Sequence, residues 1–185
     1  MADPASALGG ARFDGFATVR EIGPRGMISL RAKADLAGLA KAVKAAVGLK
    51  LPETRRIEVA GDHAAGWMSP DEWLLLLPYA EVPAALAKLQ KALAGKHALA
   101  VDVSDARAVF RIEGPRAAEV LMKLMPVDFA ALAPGELRRS RAAQVACAIW
   151  QEGDGYTLVS FRSVAGYVMG LLTHSAQSGS ELGLT

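Results

Sequence analysis

The stretch GWMSPDEWLLLLP, residues 66–78, decides how the rest of this chain is interpreted. Its polar centre is open to two interpretations: a catalytic loop with a pair of carboxylates, or a turn that leads into a buried strand. Adjacent residues of a strand point to opposite faces of a sheet, so Asp71 and Glu72 would not converge on one substrate. The run of leucines that follows is typical of a buried strand. We therefore favour the turn, with Trp67 and Trp73 as core or interface anchors.

The composition indicates a globular protein. The chain has 185 residues, is 52% hydrophobic and 22% charged, and carries a formal net charge of +2, which gives no indication of nucleic-acid binding. The chain has a single cysteine, Cys147, which excludes a disulfide framework and indicates a reducing compartment. Its alanine neighbours indicate a buried structural thiol. No secretory signal is visible, and no apolar run approaches the roughly 20 residues of a membrane span. We expect a soluble, cytoplasmic protein that binds neither nucleic acid nor membrane.

The hydrophobic pattern occurs twice along the chain. Leu39 and Val120, which are 81 residues apart, take matching places on two predicted helices. Trp73 and Tyr156, which are 83 residues apart, take matching places on two predicted strands. Each copy reads strand–helix–strand–strand–helix. The sequence therefore predicts an α+β fold of two pseudo-symmetric halves, each a helix pair on one face of a small antiparallel sheet.

This repeat sets the predicted domain boundaries. Residues 1–25 are rich in Ala, Gly and Pro with weak periodicity, and we interpret them as an N-terminal arm. Residues 26–185 then form one compact domain, made of halves at about 26–96 and 97–176.

Local signals predict where several elements begin and end. Asp35 is expected to cap the first helix and Gly48 to end it. Residues 61–66, GDHAAG, predict a turn, and residues 152–155, EGDG, predict a hairpin. The final helix is expected to place Tyr167 on its inward face.

No known catalytic or metal-binding motif stands in the sequence. His63, His97 and His174 lack the spacing of metal ligands, and neither a phosphate-binding glycine loop nor a nucleophile elbow is present. The residues alone therefore predict no catalytic, cofactor-binding or metal site in this chain.

Several stretches together resemble the gamma subunit of heterotetrameric sarcosine oxidase. They are GWMSPDEWLLL (66–76), VDVSDARAVFRIEGPRAAEVLMKLMPVDF (101–129) and GYTLVSFRSVAGYVMGLL (155–172), supported by SLRAK (29–33) and GLKLP (48–52). The most specific element is W-x-x-P-D-E-W-L, and the resemblance covers most of the chain.

The second half also resembles, more distantly, the folate-binding fold of the glycine cleavage T-protein. The similarity rests on Gly114-Pro115-x-Ala117, Asp128, Leu132 and Pro134-Gly135. That group continues with a Gly-Gly-x-x-Asp segment whose aspartate is functional, and here the run is RAAQVACAIW, without an acidic residue. The resemblance therefore implies the fold and does not carry over the folate site.

The gamma-subunit resemblance implies a non-catalytic role in a bacterial complex. That complex oxidises sarcosine to glycine, reduces O₂ to hydrogen peroxide and, with tetrahydrofolate, releases 5,10-methylenetetrahydrofolate. FAD, FMN, NAD and tetrahydrofolate would be bound by the large subunits and none by this chain, whose partners would be the alpha, beta and delta subunits. The candidate interface residues are Trp67, Asp71, Trp73 and Arg162.

Two other classes of function stay open from the sequence. One is a stand-alone folate-binding one-carbon transferase on the same fold, against which the missing acidic residue counts. The other is a small interaction module or small-molecule sensor that uses the groove between the halves.

Overall fold

The structure, a computed structural model, describes residues 4–183, in which it contains eleven strands and four α-helices. In chain order these are β1 (Arg12–Asp14), β2 (Thr18–Ile22), β3 (Gly26–Ala32), α1 (Leu39–Val47), β4 (Ile57–Ala60), β5 (His63–Ser69), β6 (Glu72–Leu77), α2 (Val82–Ala92), β7 (Ala98–Asp102), β8 (Arg107–Glu113), α3 (Ala117–Met122), β9 (Leu137–Ala142), β10 (Val145–Glu152), β11 (Gly155–Phe161) and α4 (Ala165–Ser175). Short 3-10 turns lead into α2 and α4.

The chain forms two compact units, each built on one antiparallel sheet. The central unit is Arg25–Ser104, and its five strands follow the order β4-β5-β6-β3-β7. The terminal unit combines the chain up to Pro24 with the chain from Asp105 onward, and its six strands follow the order β1-β2-β8-β11-β10-β9. The predicted α+β class is confirmed.

In the central unit, α1 and α2 supply the helical side of a core whose other side is one face of the sheet. Leu39 and Val43 of α1, Leu89 of α2 and Leu75 of β6 are all fully buried in this core. Their spacing on the helices is the apolar stripe that the sequence predicts. Burial of these aliphatic side chains is the main source of the unit's stability.

The two ends of α1 depend on glycines. Gly48 ends the helix as predicted, with a left-handed backbone (φ 78°) that lets its N–H bond the carbonyl of Lys44. The predicted start at Asp35 is wrong. Gly38 also has a left-handed backbone (φ 88°), which interrupts the helical path. The helix α1 therefore begins at Leu39, the residue after Gly38.

In the terminal unit, α3 and α4 pack on one face of the six-stranded sheet. Val120 of α3 and Val168 of α4 meet Phe110, Ile112 and Leu158 of the sheet, and all five side chains are fully buried. None of the helices within residues 4–183 is long and apolar enough to cross a membrane.

The internal repeat is visible in the strand register. Ile28 pairs with Leu75 between β3 and β6, and Phe110 pairs with Leu158 between β8 and β11. All four side chains face the helices of their own unit. In the central unit there is one more strand than predicted, because the turn expected over residues 61–66 spans only two residues before β5 begins. In the terminal unit the additional strand is β9. The small buried residues at the start of β5 hide the alternation that marks a strand.

The chain before residue 25 is not the predicted arm. Its strands β1 and β2 extend the terminal sheet, and β2 pairs with β8. The strand pattern of β2 is obscured because Glu21 is a buried carboxylate, only 5% exposed. Glu21 accepts hydrogen bonds from the Ser6 hydroxyl at 2.9 Å and from the backbone N–H groups of Leu8 and Gly10 at 3.0 Å. The boundary between the halves also differs from prediction, since β7 belongs to the central sheet.

Candidate docking site

The hairpin of β5 and β6 places two tryptophans opposite each other. Trp67 pairs with Trp73 across the strands, which are joined by the predicted turn, here formed by Pro70 and Asp71. Trp73 is only 1% exposed, and its Nε1 donates a hydrogen bond to the carbonyl of Pro52 at 3.2 Å. Trp67 is half-buried against the same core. Trp73 is therefore a core anchor, one of its two predicted roles, and a contact of this side chain with another subunit stays a prediction.

The two carboxylates of this hairpin have different hydroxyl partners. The Ser69 hydroxyl donates to Asp71 Oδ1 at 2.6 Å. This bond, assisted by the charge of Arg31, holds the pKa of the Asp71 carboxyl below its ordinary value. Glu72 accepts hydrogen bonds from the Ser29 hydroxyl at 3.1 Å and from Arg31 Nη2 at 3.2 Å. Both carboxylates are therefore held by side chains of the central sheet.

Arg162, the remaining predicted interface residue, holds the N-terminal segment. It lies in the 3-10 turn before α4, and its guanidinium donates to the carbonyls of Ala5 at 2.8 Å and Ser6 at 3.2 Å. An open cavity of about 620 Å³ lies beside it, lined in part by Leu8 and Gly166. Arg162 is therefore both a structural clamp and part of a concave surface.

Two aromatic side chains of this part of the chain, Phe161 and Tyr167, stay largely exposed. Phe161, which lines the cavity beside Arg162, is 47% exposed, and Tyr167, which follows the lining residue Gly166, is 51% exposed. The guanidinium of Arg107 lies 4.1 Å from the centre of the Phe161 ring. Exposed aromatic residues next to arginine are the composition of protein–protein contact surfaces. We call Phe161, Arg162 and Tyr167 the aromatic surface.

The aromatic surface is not evident from the sequence, because the apolar pattern places Tyr167 on the inward face of the last helix. The stripe that is buried consists of Ala165, Val168 and Leu172, at spacings of three and four residues. Tyr167 lies one residue before the centre of that stripe and turns outward. The neighbouring Gly166 is exposed as well, and which side of α4 faces the core is set by the assembled fold.

A cluster of polar side chains lies on strands β2, β8 and β11 of the terminal sheet. Arg20 forms a two-bond ion pair with Glu113, at 2.8 and 3.0 Å. The hydrogen bond and charge of Arg20 hold the pKa of Glu113 below its ordinary value. Arg111, which is buried, donates to the Thr157 hydroxyl at 2.9 Å. Because each group has a charged or hydroxyl partner, this cluster fixes strands β2, β8 and β11 together.

Of the remaining potentially reactive side chains, Cys147 is buried and His63 has a carboxylate neighbour. Burial raises the pKa of the Cys147 thiol to about 12. His63 Nε2 lies 3.0 Å from a carboxylate oxygen of Glu81. Within residues 4–183, no group of three or more His, Cys, Asp or Glu side chains is arranged to hold a metal ion.

Comparison with known sequences identifies a family to which this chain is similar. Residues 31–178 match the model of the sarcosine oxidase gamma subunit family. The chain belongs to that family. A curated sarcosine oxidase gamma subunit from Corynebacterium sp. (strain U-96) is 39% identical over 145 residues, which cover 74% of this chain and 67% of the relative. A gamma subunit from Arthrobacter sp. is 33% identical over 155 residues, which cover 81% of this chain and 74% of the relative.

Solved structures agree with the family and with the fold. The chain matches a chain of heterotetrameric sarcosine oxidase from Corynebacterium sp. U-96 with a TM-score of 0.78 and 31% identity, covering 86% of this chain and 83% of that one. It also matches the glycine cleavage system aminomethyltransferase T from Bartonella henselae with a TM-score of 0.65 and 14% identity, covering 85% of this chain and 45% of that one. At that identity the second match shows the fold alone, and it confirms the predicted T-protein-like architecture.

Proposed function

We propose that this chain is the non-catalytic gamma subunit of a flavin-dependent, heterotetrameric sarcosine oxidase. Its partners are the alpha, beta and delta subunits, and the complex works in the cytoplasm. The complex converts sarcosine, O₂ and tetrahydrofolate to glycine, hydrogen peroxide and 5,10-methylenetetrahydrofolate. The observation that carries this proposal is the match of residues 31–178 to the gamma subunit family.

In this proposal the chemistry and the assembly role belong to different subunits. FAD, FMN, NAD and tetrahydrofolate are held by the other subunits, where the redox and one-carbon chemistry takes place. The contribution of this chain is a folded surface that completes the assembly. The aromatic surface supports this role, because burying one aromatic side chain removes roughly 150–250 Å² from water.

The surface role can be tested by co-expression of the four subunits. Phe161→Ser and Tyr167→Ser remove the two exposed rings, and Val59→Ser is the matched control, since Val59 is 46% exposed on the central sheet. We expect the double aromatic variant to co-purify with the large subunits at least tenfold less than the control variant, since contact energy is concentrated in aromatic residues. Circular dichroism melts verify that each variant is folded.

The outcome separates the aromatic surface from the family role. Equal co-purification of the double variant and the control would remove the aromatic surface from the interface. Failure of the unmodified chain to join any complex would overturn the proposed function itself.

A further inference from the structure

The strand β7 is an open edge of the central sheet. It pairs with β3 on one side, and no strand within residues 4–183 pairs with its other side. Two of its aliphatic side chains are exposed, Leu99 at 58% and Val101 at 41%. An open edge with exposed apolar side chains is a template for pairing with another chain.

The terminal unit shows what covers the equivalent edge there. In the repeat, β3 corresponds to β8, so that β7, the neighbour of β3, corresponds to β2, the neighbour of β8. The outer side of β2 is covered by the short antiparallel strand β1, in which Phe13 pairs with Val19. The same chain therefore provides, in one unit, the strand that its other unit lacks.

Some backbone N–H and C=O groups of β7 point outward, as pairing with a further strand requires. The N–H of Val103 bonds the carbonyl of Met27 on β3, so by the alternation of an antiparallel ladder Ala100 and Asp102 direct their N–H and C=O groups away from β3. The repeat gives the same result. Ala100 corresponds to Val19, and two residues further on the N–H of Glu21 bonds the carbonyl of Ala11 beside β1 at 2.8 Å.

The side chains around the start of β7 define the chemistry of the missing strand. A cavity of about 580 Å³ is lined there by Arg31, Lys33 and Lys96 and by one carboxylate, that of Asp71. The cationic groups outnumber the carboxylate, although Arg31 also pairs with Glu72 of the neighbouring strand at 3.2 Å. The exposed Leu99 lines the same cavity. An apolar residue and an acidic side chain would complement this site.

We infer that β7 receives a short extended segment of another subunit of the sarcosine oxidase complex, which pairs with it antiparallel, as β1 pairs with β2. The segment carries apolar side chains over Leu99 and Val101 and an acidic side chain toward Lys33 and Lys96. This inference rests on the proposed function, since it takes its occupant from the assembled complex. Strand addition supplies main-chain hydrogen bonds, and the pocket supplies specificity.

Hydrogen exchange in the purified complex and in the free chain tests the pairing directly. The amide protons of Ala100 and Asp102 should exchange at least tenfold more slowly in the complex than in the free chain. On the other edge of the sheet, the N–H of Trp67 bonds the carbonyl of Arg56, so by the same alternation the amide of Val59 on β4 points outward. This amide should exchange at the same rate in both states. Mass spectrometry of peptides that cover residues 97–103 and 57–60 reads out both edges.

Three test substitutions and one control substitution separate backbone pairing from charge. Ala100→Pro removes an outward N–H without removing a bond to β3, and Val59→Pro is the matched control on the opposite edge. Leu99→Lys, at a site that is 58% exposed, blocks strand addition without touching the core. Lys33→Glu reverses the charge at the cavity. We expect Ala100→Pro, Leu99→Lys and Lys33→Glu each to weaken retention in the complex about tenfold, while Val59→Pro leaves it unchanged.

Each outcome has a defined meaning. If this chain joins the complex while the Ala100 amide stays unprotected and Leu99→Lys assembles normally, the inference is wrong and the proposed function stands. If the free chain alone forms a dimer with the Ala100 amide protected, the occupant is a second copy and the inference is again overturned. If the unmodified chain does not join the complex, the inference and the proposed function fail together.

Discussion

Replacement of Trp73 by Ala should cost this protein more stability than the same change at Trp67, its partner across the hairpin. Trp73 is 1% exposed and is bonded through Nε1 to Pro52, whereas Trp67 is half-buried. A buried Trp removes roughly 150–250 Å² from water, which at about 25 cal/mol per Å² corresponds to roughly 4–6 kcal/mol. Measured losses for Phe or Trp to Ala in cores are about 3–5 kcal/mol. We therefore expect Trp73→Ala to lower the free energy of unfolding by about 4 kcal/mol.

The measurement is urea denaturation followed by circular dichroism, with Trp67→Ala as the matched control. A third variant, Trp73→Phe, keeps most of the ring but leaves the Pro52 carbonyl without its donor, and should lose about 1–3 kcal/mol. A loss below about 1 kcal/mol for Trp73→Ala, or a larger loss for Trp67→Ala, would refute the assignment of Trp73 to the core.

Three further predictions concern charge and reactivity. The double change Asp71→Asn and Glu72→Gln should leave sarcosine turnover by the assembled complex within a few-fold of normal, and loss of turnover in a complex that still assembles would make the turn an active-site element. Because burial raises the pKa of the Cys147 thiol to about 12, an alkylating reagent at pH 9 should label it only after denaturation, and rapid labelling of the native chain would contradict this. The lowered pKa of Glu113 stabilises the fold above the ordinary carboxyl pKa near 4.5, and this contribution is lost as the pH falls through the folded-state pKa. Glu113→Gln should therefore reduce the loss of stability between pH 5 and pH 3, measured as urea midpoints, and an unchanged loss would exclude the ion pair with Arg20 as its source.

The parts of the fold that the sequence predicts are those with a regular apolar period. Leu39 and Val120 lie on helical stripes, and both are buried in the core of their own unit. The two hairpin turns are marked by short polar segments. Trp73 is recognisable as an anchor because it opens a run of leucines, and burial was one of its two predicted roles.

The parts that were missed break the local pattern for a physical reason. The strand β2 contains Glu21, a buried carboxylate whose hydrogen bonds come from residues 6–10, and no period reveals such a group. The strand β5 begins with small residues that are buried without alternating. Exposure of Leu99 and Tyr167 depends on which strand ends the sheet and which side of α4 faces the core. Both are properties of the assembled fold.

Native mass spectrometry can show whether this chain is a structural subunit of a sarcosine oxidase, with the complex purified from cells that co-express the alpha, beta and delta subunits with or without this chain. With this chain present, we expect a species whose mass equals one copy of each of the four chains and which oxidises sarcosine. Without this chain, the yield of intact, active complex should fall. If the other three chains form a complex in the same yield and oxidise sarcosine at the same rate without this chain, the proposed function is wrong.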